Sequence, residues 1–251
     1  MSPDPPEASG AAPGSGAASA SDDELAGRFA AIEARIQAAC DRSGRPRSEV
    51  TLVGASKTRP APVLAAAYRA GLRAFGENRV QEALSKAEEL RDPRIDWHLI
   101  GPLQTNKVRA ALDLFRTVHS VDRPKIAEAL DREAAGRGLV IPGFLEINLG
   151  GEESKHGFPL AGLAEAVRPL ADLQHLRIAG LMAIPPPGDS PEDSRPWFRR
   201  LRELRDNLGS RPEWSGFPGL LSMGMSDDFE VAVEEGATHV RVGTALFGRR
   251  G

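Results

Sequence analysis

Lys57 is the residue of this sequence best placed for covalent chemistry. It follows residues 52–55, an apolar run that predicts a buried strand, so its amine is expected at a strand end with part of its hydration removed. Desolvation disfavours a charged ammonium, and the neutral amine is the form that attacks a carbonyl carbon. The alternative is a lysine that extends into solvent and has no chemical role. The polar residues described below favour the chemical interpretation.

Lysine is rare in this chain, since only five of its 32 basic residues are lysines. These five are Lys57, Lys86, Lys107, Lys125 and Lys155. Arginine stays charged in proteins and cannot act as an amine nucleophile, so the bias towards arginine strengthens each lysine as a candidate. Lys155, in the polar loop 150–157, is the second candidate amine, although a solvated side chain is the simpler interpretation there.

Two segments near the C-terminus combine the residue types of a phosphate site. Arg241 precedes Gly243 and Thr244 in one segment, and residues 221–228 of the other contain small and hydroxyl side chains, among them Ser226. Glycine lets the backbone approach an anion closely, and threonine adds a hydroxyl donor beside exposed N–H groups. Each segment alone is a weak signal, and Ser226 alone is best explained as the N-cap of the next helix. Together they predict a phosphate site that needs no lysine.

His98 stands in the apolar run 97–101, either as an acid–base group or as a histidine hydrogen-bonded inside the fold. The second interpretation is the simpler one. The five histidines and one cysteine show no spacing typical of a zinc site, so no metal is predicted. Asp227 and Asp228 are expected in the first turn of a helix, where the helix dipole favours negative charge.

The N-terminal segment divides into a tail and a helix. Residues 1–22 are mostly Ala, Gly, Ser and Pro, which bury too little apolar surface to offset the entropy of ordering, so a disordered tail is expected. Ser21 is a suitable N-cap with Glu24 three residues later, and apolar residues then recur at helical spacing until about residues 43–44. The main domain is expected over 23–251, with this helix as an addition at its start.

Short apolar runs then alternate with amphipathic stretches. The strand candidates lie at about 50–55, 74–77, 96–101, 117–121, 143–149, 178–183, 219–224 and 239–247. The helical patterns include 60–71, 79–91, 124–136, 159–172, 194–208 and 227–235. Eight alternating units in one domain of this length predict a (β/α)₈ TIM barrel, with a doubly wound open sheet as the alternative.

Functional groups of such barrels lie at the C-terminal ends of the strands. This rule selects a set of candidate residues in strand order: Ser56, Lys57, Thr58, Glu77, Asn78, His98, Gly101, Asn148, Met182, Ile184, Pro185, residues 222–226 (with Ser222, Met223 and Ser226), Arg241, Gly243 and Thr244. The loops after the seventh and eighth strands commonly form a phosphate site, which is where Ser226 and Gly243 fall.

The composition argues against several classes of protein. The formal net charge of −3 comes without a basic run, which disfavours nucleic-acid binding. No stretch approaches the ~18 consecutive apolar residues of a membrane span. Cys40 is the only cysteine and is expected to be a packed thiol, which suits the reducing cytoplasm. Residues 1–22 lack the pattern of a secretory signal, so a cytoplasmic location is expected.

Seven blocks of sequence carry a resemblance to a known family. They are residues 55–58 (ASKT), 75–82 (FGENRVQE), 97–107 (WHLIGPLQTNK), 153–158 (ESKHGF), 180–185 (GLMAIP), 221–228 (LSMGMSDD) and 241–248 (RVGTALFG). In this order they resemble the pyridoxal phosphate (PLP) homeostasis protein family. One departure is Arg79, which stands where the family usually has a tyrosine.

The resemblance implies a single-domain barrel like the N-terminal domain of alanine racemase (PLP fold type III), with PLP as an internal aldimine on Lys57. It implies that Arg241 faces the pyridine nitrogen and that Ser226, Gly243 and Thr244 hold the phosphate. Less directly, it implies that the pocket is also lined by Asn78, His98, Ser222 and Met223. An arginine beside the ring nitrogen disfavours its protonation and so weakens the electron sink that PLP catalysis uses.

We therefore expect a carrier or regulator in intracellular PLP (vitamin B6) homeostasis, with no catalytic residue and with PLP-dependent apo-enzymes or amino acids as recipients. The alternatives are an amino-acid racemase and a cofactor-free Schiff-base aldolase. A racemase needs acid–base groups on both faces of the α-carbon, and the only tyrosine, Tyr68, is expected to pack in the helix after Lys57. No dimerising domain remains after the barrel, so a monomer is expected.

Overall fold

The computed structural model describes residues 21–92, 94–152 and 156–249. Its centre is a barrel of eight strands: β1 Thr51–Ala55, β2 Ala74–Glu77, β3 Asp96–Leu99, β4 Thr117–Val121, β5 Ile141–Asn148, β6 Leu176–Met182, β7 Leu220–Ser222 and β8 His239–Val242. Each strand pairs in parallel with the next one in this order, and β8 pairs with β1. The predicted (β/α)₈ barrel is confirmed, because this last pairing closes the sheet. A two-residue strand, Phe158–Pro159, adds to β5 outside the barrel.

Nine α-helices lie in the described part of the chain. They are α1 Asp22–Ser43, α2 Ala61–Ala70, α3 Val80–Leu90, α4 Val108–Leu114, α5 Pro124–Gly136, α6 Leu163–Val167, α7 Arg195–Gly209, α8 Phe229–Glu234 and α9 Thr244–Phe247. Short 3₁₀ helices occupy Arg47–Glu49, Thr105–Lys107, Arg168–Asp172, Pro191–Ser194 and Pro212–Trp214. The predicted helix over 159–172 is thus split, because the chain tightens into 3₁₀ geometry around Pro169.

The extra N-terminal helix is present and begins as predicted. The Ser21 hydroxyl accepts a hydrogen bond from the Glu24 backbone N–H at 3.2 Å, and Gly44 ends α1 in the left-handed conformation. Helix α1 packs against α2, α8 and α9, and its buried face includes Cys40, whose thiol pKa is raised by burial. The predicted tail 1–22 lies outside the described residues except for its last two, and Asp22 already belongs to α1.

The last strand is shorter than predicted, and the difference shapes the site. The pattern over 239–247 predicts one strand, but β8 ends at Val242 and the chain turns at Gly243 into the one-turn helix α9. Strand β7 likewise stops at Ser222, because Gly224 adopts φ +91°, a conformation that favours glycine. Two irregular segments therefore meet beyond β7 and β8, at the C-terminal end of the barrel.

Aromatic rings fill the middle of the barrel. The imidazole of His119 on β4 stacks on Phe144 of β5 with ring centroids 4.5 Å apart, and His239 of β8 contacts the same phenyl ring at 5.0 Å. Because β8 and β5 are not neighbours in the sheet, this contact crosses the interior. The described part of the chain contains no helix long and apolar enough to span a membrane.

Candidate cofactor site at the mouth of the barrel

Lys57 lies in a tight turn directly after β1. The turn is closed by a hydrogen bond from the Arg59 N–H to the Ser56 carbonyl at 3.0 Å, and Thr58 adopts φ +65°. The side chain of Lys57 is exposed at the mouth, so the partial loss of hydration expected from the sequence is wrong. The structure gives this side chain no hydrogen-bond or ion-pair partner among the described residues. An amine in this position is accessible to a ligand that enters the mouth.

A buried ionic network holds this turn from below. The Ser56 hydroxyl donates to Glu77 Oε1 at 2.6 Å, and the Lys86 ammonium donates to the same oxygen at 2.7 Å and to the Ser56 carbonyl at 3.0 Å. Lys86 also donates to Glu82 Oε1, which accepts the Thr58 backbone N–H, both at 2.7 Å. Both residues that flank Lys57 are therefore fixed by the same cluster.

Glu77 is completely buried, and burial raises the pKa of its carboxyl although the hydrogen bond from Lys86 opposes the shift. The sequence alone did not predict a role for Lys86. One signal identifies it: Lys86 follows Val80 and Ala83 at three-residue spacing, and all three lie on the buried face of α3. A cation on such a face implies a buried acidic partner.

Beyond β8, the neighbour of β1 in the barrel, Ser226 lies between two backbone donors. Its hydroxyl oxygen accepts the N–H groups of Gly243 at 3.3 Å and Ala245 at 3.2 Å. Thr244, between them, is exposed, and its hydroxyl has no partner among the described residues. Backbone N–H groups that converge on one oxygen also suit an oxyanion. We call residues 226 and 243–245 the cradle.

Two predictions about the neighbouring loop are wrong. Ser226 is not the N-cap of the next helix, because Asp228 takes that position and α8 begins at Phe229. Asp227 and Asp228 consequently precede the helix rather than forming its first turn. The buried Asp228 carboxylate instead accepts the Met225 N–H at 2.7 Å and the Ser194 hydroxyl at 2.8 Å, which fixes the loop that carries Ser226.

Arg241 lies just beneath the cradle and is only 5% exposed. It donates to the Ser222 hydroxyl at 2.6 Å and to the Ala183 carbonyl at 3.1 Å, so its guanidinium is held in one place. Burial lowers its pKa to about 10, and the charges of Glu146 and Asp228 oppose that shift. Arg241 therefore remains a cation at neutral pH.

A chain of hydrogen bonds continues from Arg241 through the barrel. The Ser222 hydroxyl lies 2.7 Å from His119 Nδ1, His119 Nε2 lies 2.8 Å from His98 Nδ1, and His98 Nε2 lies 2.9 Å from an Asp96 carboxylate oxygen. With one proton on each imidazole, only one set of directions satisfies every contact: each group donates to the next, from Arg241 to Asp96. Burial lowers the pKa of His119 well below its usual value, which keeps this ring neutral.

The predicted site residues occupy two levels. Five of them lie at the mouth and are exposed or half-buried: Lys57, Asn78, Ser226, Gly243 and Thr244. Four lie buried underneath: His98, Ser222, Met223 and Arg241. Both ring nitrogens of His98 have partners, as the simpler interpretation of that histidine expected, and Met223 is packed in the core. Lys155, the alternative amine, falls outside the described residues.

No group of three or more His, Cys, Asp or Glu side chains within 21–92, 94–152 and 156–249 could hold a metal ion. The mouth presents instead an amine and backbone donors, with the Arg241 guanidinium buried beneath them. This set suits an organic ligand that carries both an electrophilic carbon and an anionic group.

Comparison with known proteins agrees with this geometry. Residues 28–251 match the family model "Alanine racemase, N-terminal domain", which defines the class of the fold and covers most of the chain. An alanine racemase from Corynebacterium glutamicum has the same fold, with a TM-score of 0.67 at 19% identity over 91% of this chain and 61% of its own.

More similar proteins define the family more closely. The chain is 47% identical over 223 residues to the pyridoxal phosphate homeostasis protein of Aquifex aeolicus, covering 89% of this chain and 97% of that one. It is 46% identical to the protein of the same name from Pseudomonas aeruginosa, over 90% and 96% of the two chains. PipY of Synechococcus elongatus, solved with and without PLP, shares 41% identity and a TM-score of 0.78 over 89% of this chain and 100% of its own. The chain belongs to the pyridoxal phosphate homeostasis protein family.

Proposed function

We propose that this chain binds PLP at the mouth of the barrel, covalently through the amine of Lys57, and serves in cellular PLP homeostasis without turning over a substrate. The observation that carries the proposal is the position of Lys57, which has no partner among the described residues, beside an oxyanion cradle. Strands β1 and β8 are neighbours with Gly54 level with Val242, so Lys57 and Gly243 follow at the same edge. A Cβ added to Gly243 would lie 3.4 Å from both the Cβ and the carbonyl oxygen of Ala55, which brings the cradle against β1.

The residues present fit the cofactor. The cradle offers backbone and hydroxyl donors for a phosphate, and Lys57 offers the amine for an aldehyde, which PLP supplies when bound. The amine nitrogen adds to the aldehyde carbon, and water leaves as the carbon–nitrogen double bond forms. The network of Ser56, Glu77 and Lys86 fixes the backbone on both sides of the amine, which limits the conformational entropy lost on attachment.

The electrostatics of the site support a carrier rather than an enzyme. Arg241 is a fixed cation under the mouth, and a permanent positive charge near a ring nitrogen disfavours protonation of that nitrogen. The protonated ring is the electron sink that PLP catalysis exploits. Tyr68, the only tyrosine, packs outside the barrel with the Arg73 guanidinium 4.4 Å from its ring centre, so it cannot serve as the opposing acid of a racemase.

Three expectations from the sequence remain predictions beside this proposal. They are a monomeric state, a cytoplasmic location, and PLP-dependent apo-enzymes or amino acids as the recipients of PLP. The proposal itself needs none of them.

An absorption spectrum tests the attachment. We expect the full chain mixed with PLP to show a near-visible band that free PLP lacks, and we expect Lys57→Ala to abolish this band. Lys125→Ala is the matched control, because Lys125 is an exposed lysine in the first turn of α5 and should leave the band unchanged. An unaltered band in Lys57→Ala would contradict the proposal.

A further inference from the structure

A second recess opens at the mouth beside the Lys57 turn. Its volume is about 680 Å³, within the range of small-molecule sites. It lies between the segments that follow β2, β3 and β4, and His156 of the loop after β5 also lines it. Three cations line it: Arg79 after β2, Lys107 after β3 and Arg123 after β4. Asn78, a predicted residue of the PLP pocket, forms part of the same wall.

The positive charge of this recess is only partly neutralised. Arg123 pairs with the Asp122 carboxylate at 2.6 Å, whereas Arg79 and Lys107 form no ion pair or hydrogen bond with a described residue. Among the lining residues that the structure describes, Glu82 is the one carboxylate, and it already accepts hydrogen bonds from Lys86 and Thr58. Arg79 and Lys107 therefore face the recess without an ion-pair partner among the described residues, although the charge of Arg79 contributes to lowering the pKa of Glu82.

The charges of the side chains that line the recess indicate which class of ligand it can bind. A phosphate monoester carries a charge of about −1.5 to −2 at neutral pH, which matches two free cations, whereas one carboxylate would leave a positive charge over. A guanidinium offers paired donors to phosphate oxygens, and an ammonium adds a point charge. Pro102 exposes its ring to the recess as an apolar surface against which a flat ring can lie, and Val80 and Leu103 are buried behind it.

We propose that this recess is a second, non-covalent site for a phosphate monoester with a flat, largely apolar body. The residues of the recess alone support this second site. Only its relation to PLP transfer rests on the proposed function. The link between the two sites is Glu82, which lines the recess and holds the Thr58 N–H next to Lys57. A phosphorylated ligand bound here lies beside the amine while the cradle is filled.

Titration calorimetry with pyridoxine 5′-phosphate tests the site, since this probe has the ring and the phosphate but no aldehyde. The full chain is titrated twice: unmodified, and after PLP has been fixed on Lys57 by borohydride. We expect the fixed protein to bind one further molecule of the probe. We expect the double variant Arg79→Ala/Lys107→Ala to bind it at least tenfold more weakly, with Arg200→Ala on the exposed face of α7 as the unchanged control.

An intact-mass measurement before the titration examines the proposed function separately. If no PLP is fixed, that function fails, and the recess is then judged on the unmodified protein by its dependence on Arg79 and Lys107. Failure of the fixed protein to bind the probe, or equal binding by the double variant, overturns the proposal. Equal affinity for pyridoxine, or for succinate as a dicarboxylate, overturns the assignment to a phosphate monoester.

Discussion

The two sides of the barrel mouth provide for negative charge in different ways. After β7 and β8, the cradle uses backbone N–H groups and a hydroxyl, with a buried arginine beneath them. After β2, β3 and β4, the recess uses the exposed or half-buried side chains of Arg79, Lys107 and Arg123. A backbone cradle is fixed by the fold and selects by shape, whereas long cationic side chains adapt to their ligand and respond to salt. If both proposed sites bind their ligands, one mouth would combine a site that retains its ligand with a site that exchanges it.

The buried charges under the two sides of the mouth are also arranged differently. Under the recess side, the charges of Glu77 and Lys86 neutralise each other within the protein. Under the cradle, the charge of Arg241 is connected to Asp96 by hydrogen bonds that pass through Ser222, His119 and His98. The first arrangement fixes a backbone turn, and the second fixes a positive charge beneath the cradle.

The largest expected effect comes from breaking the buried ion pair. Lys86→Met leaves the Glu77 carboxylate buried without its cation, and loss of one partner of such a pair destabilises a protein by about 3–5 kcal/mol. We expect a lower urea midpoint at neutral pH and weaker PLP attachment, because the turn around Lys57 loses its support. Lys125→Met, at an exposed position, is the control. A stability equal to that of the unmodified protein would mean that the network does not hold this turn.

The next effect is a pH dependence that belongs to the cradle side. Burial lowers the pKa of His239 to about 3 in the folded protein, with Arg241 adding to the shift and Asp96 opposing it. Below pH 6.5 the unfolded chain therefore binds a proton that the folded chain excludes, so stability falls as the pH drops from 6.5 towards 3. Each excluded proton corresponds to about 1.4 kcal/mol per pH unit.

The variant His239→Gln isolates this contribution. Burial raises the pKa of Glu146 to about 6, which acts in the opposite direction, but it does so in both proteins and cancels in the comparison. Between pH 6 and 4.5 we expect the unmodified protein to lose about 2 kcal/mol more stability than the variant, from urea unfolding at each pH. Parallel pH profiles would show that this imidazole is not excluded from protonation.

The sequence predicted some parts of the fold and of the candidate site and could not predict others. Alternating apolar and amphipathic stretches predicted the barrel, and the strand-end rule then selected Lys57, Ser226 and Thr244, because those features are local in the chain. The hydrogen-bond chain from Arg241 to Asp96 could not be predicted from the sequence, because His119 and Ser222 are 103 residues apart and meet only when the barrel closes. The same holds for the recess, whose three cations follow three different strands. The strand predicted over 239–247 failed because the contacts of Ser226, a tertiary interaction, favour a turn at Gly243.

A smaller effect tests the cradle directly. Thr244→Val removes a hydroxyl donor and is expected to weaken PLP retention by about 1–2 kcal/mol, roughly a five- to thirtyfold rise in the dissociation constant. Thr244→Ser keeps the hydroxyl and serves as the matched control. The measurement is equilibrium dialysis against PLP. Equal retention by the valine and serine variants would remove this side chain from the phosphate site.

The smallest expected effect is a difference in salt dependence between ligand binding in the recess and PLP attachment at Lys57. Screening weakens interactions between exposed charges, so raising the salt concentration from 0.05 to 0.5 M, both assay conditions, should weaken pyridoxine 5′-phosphate binding in the recess by roughly threefold or more. Attachment of PLP at Lys57 should change less, because a covalent bond and backbone donors hold it. Equal salt dependence at both sites would abolish the distinction.

The most direct test of the central claim is peptide mapping of the full chain after incubation with PLP and borohydride reduction. Reduction converts the link between lysine and cofactor into a stable amine, so the modified residue can be read from the fragment masses. The account predicts one labelled lysine, Lys57, in the wild-type chain and no label in Lys57→Ala. A label on any other lysine, or no label in the wild-type chain, would contradict it.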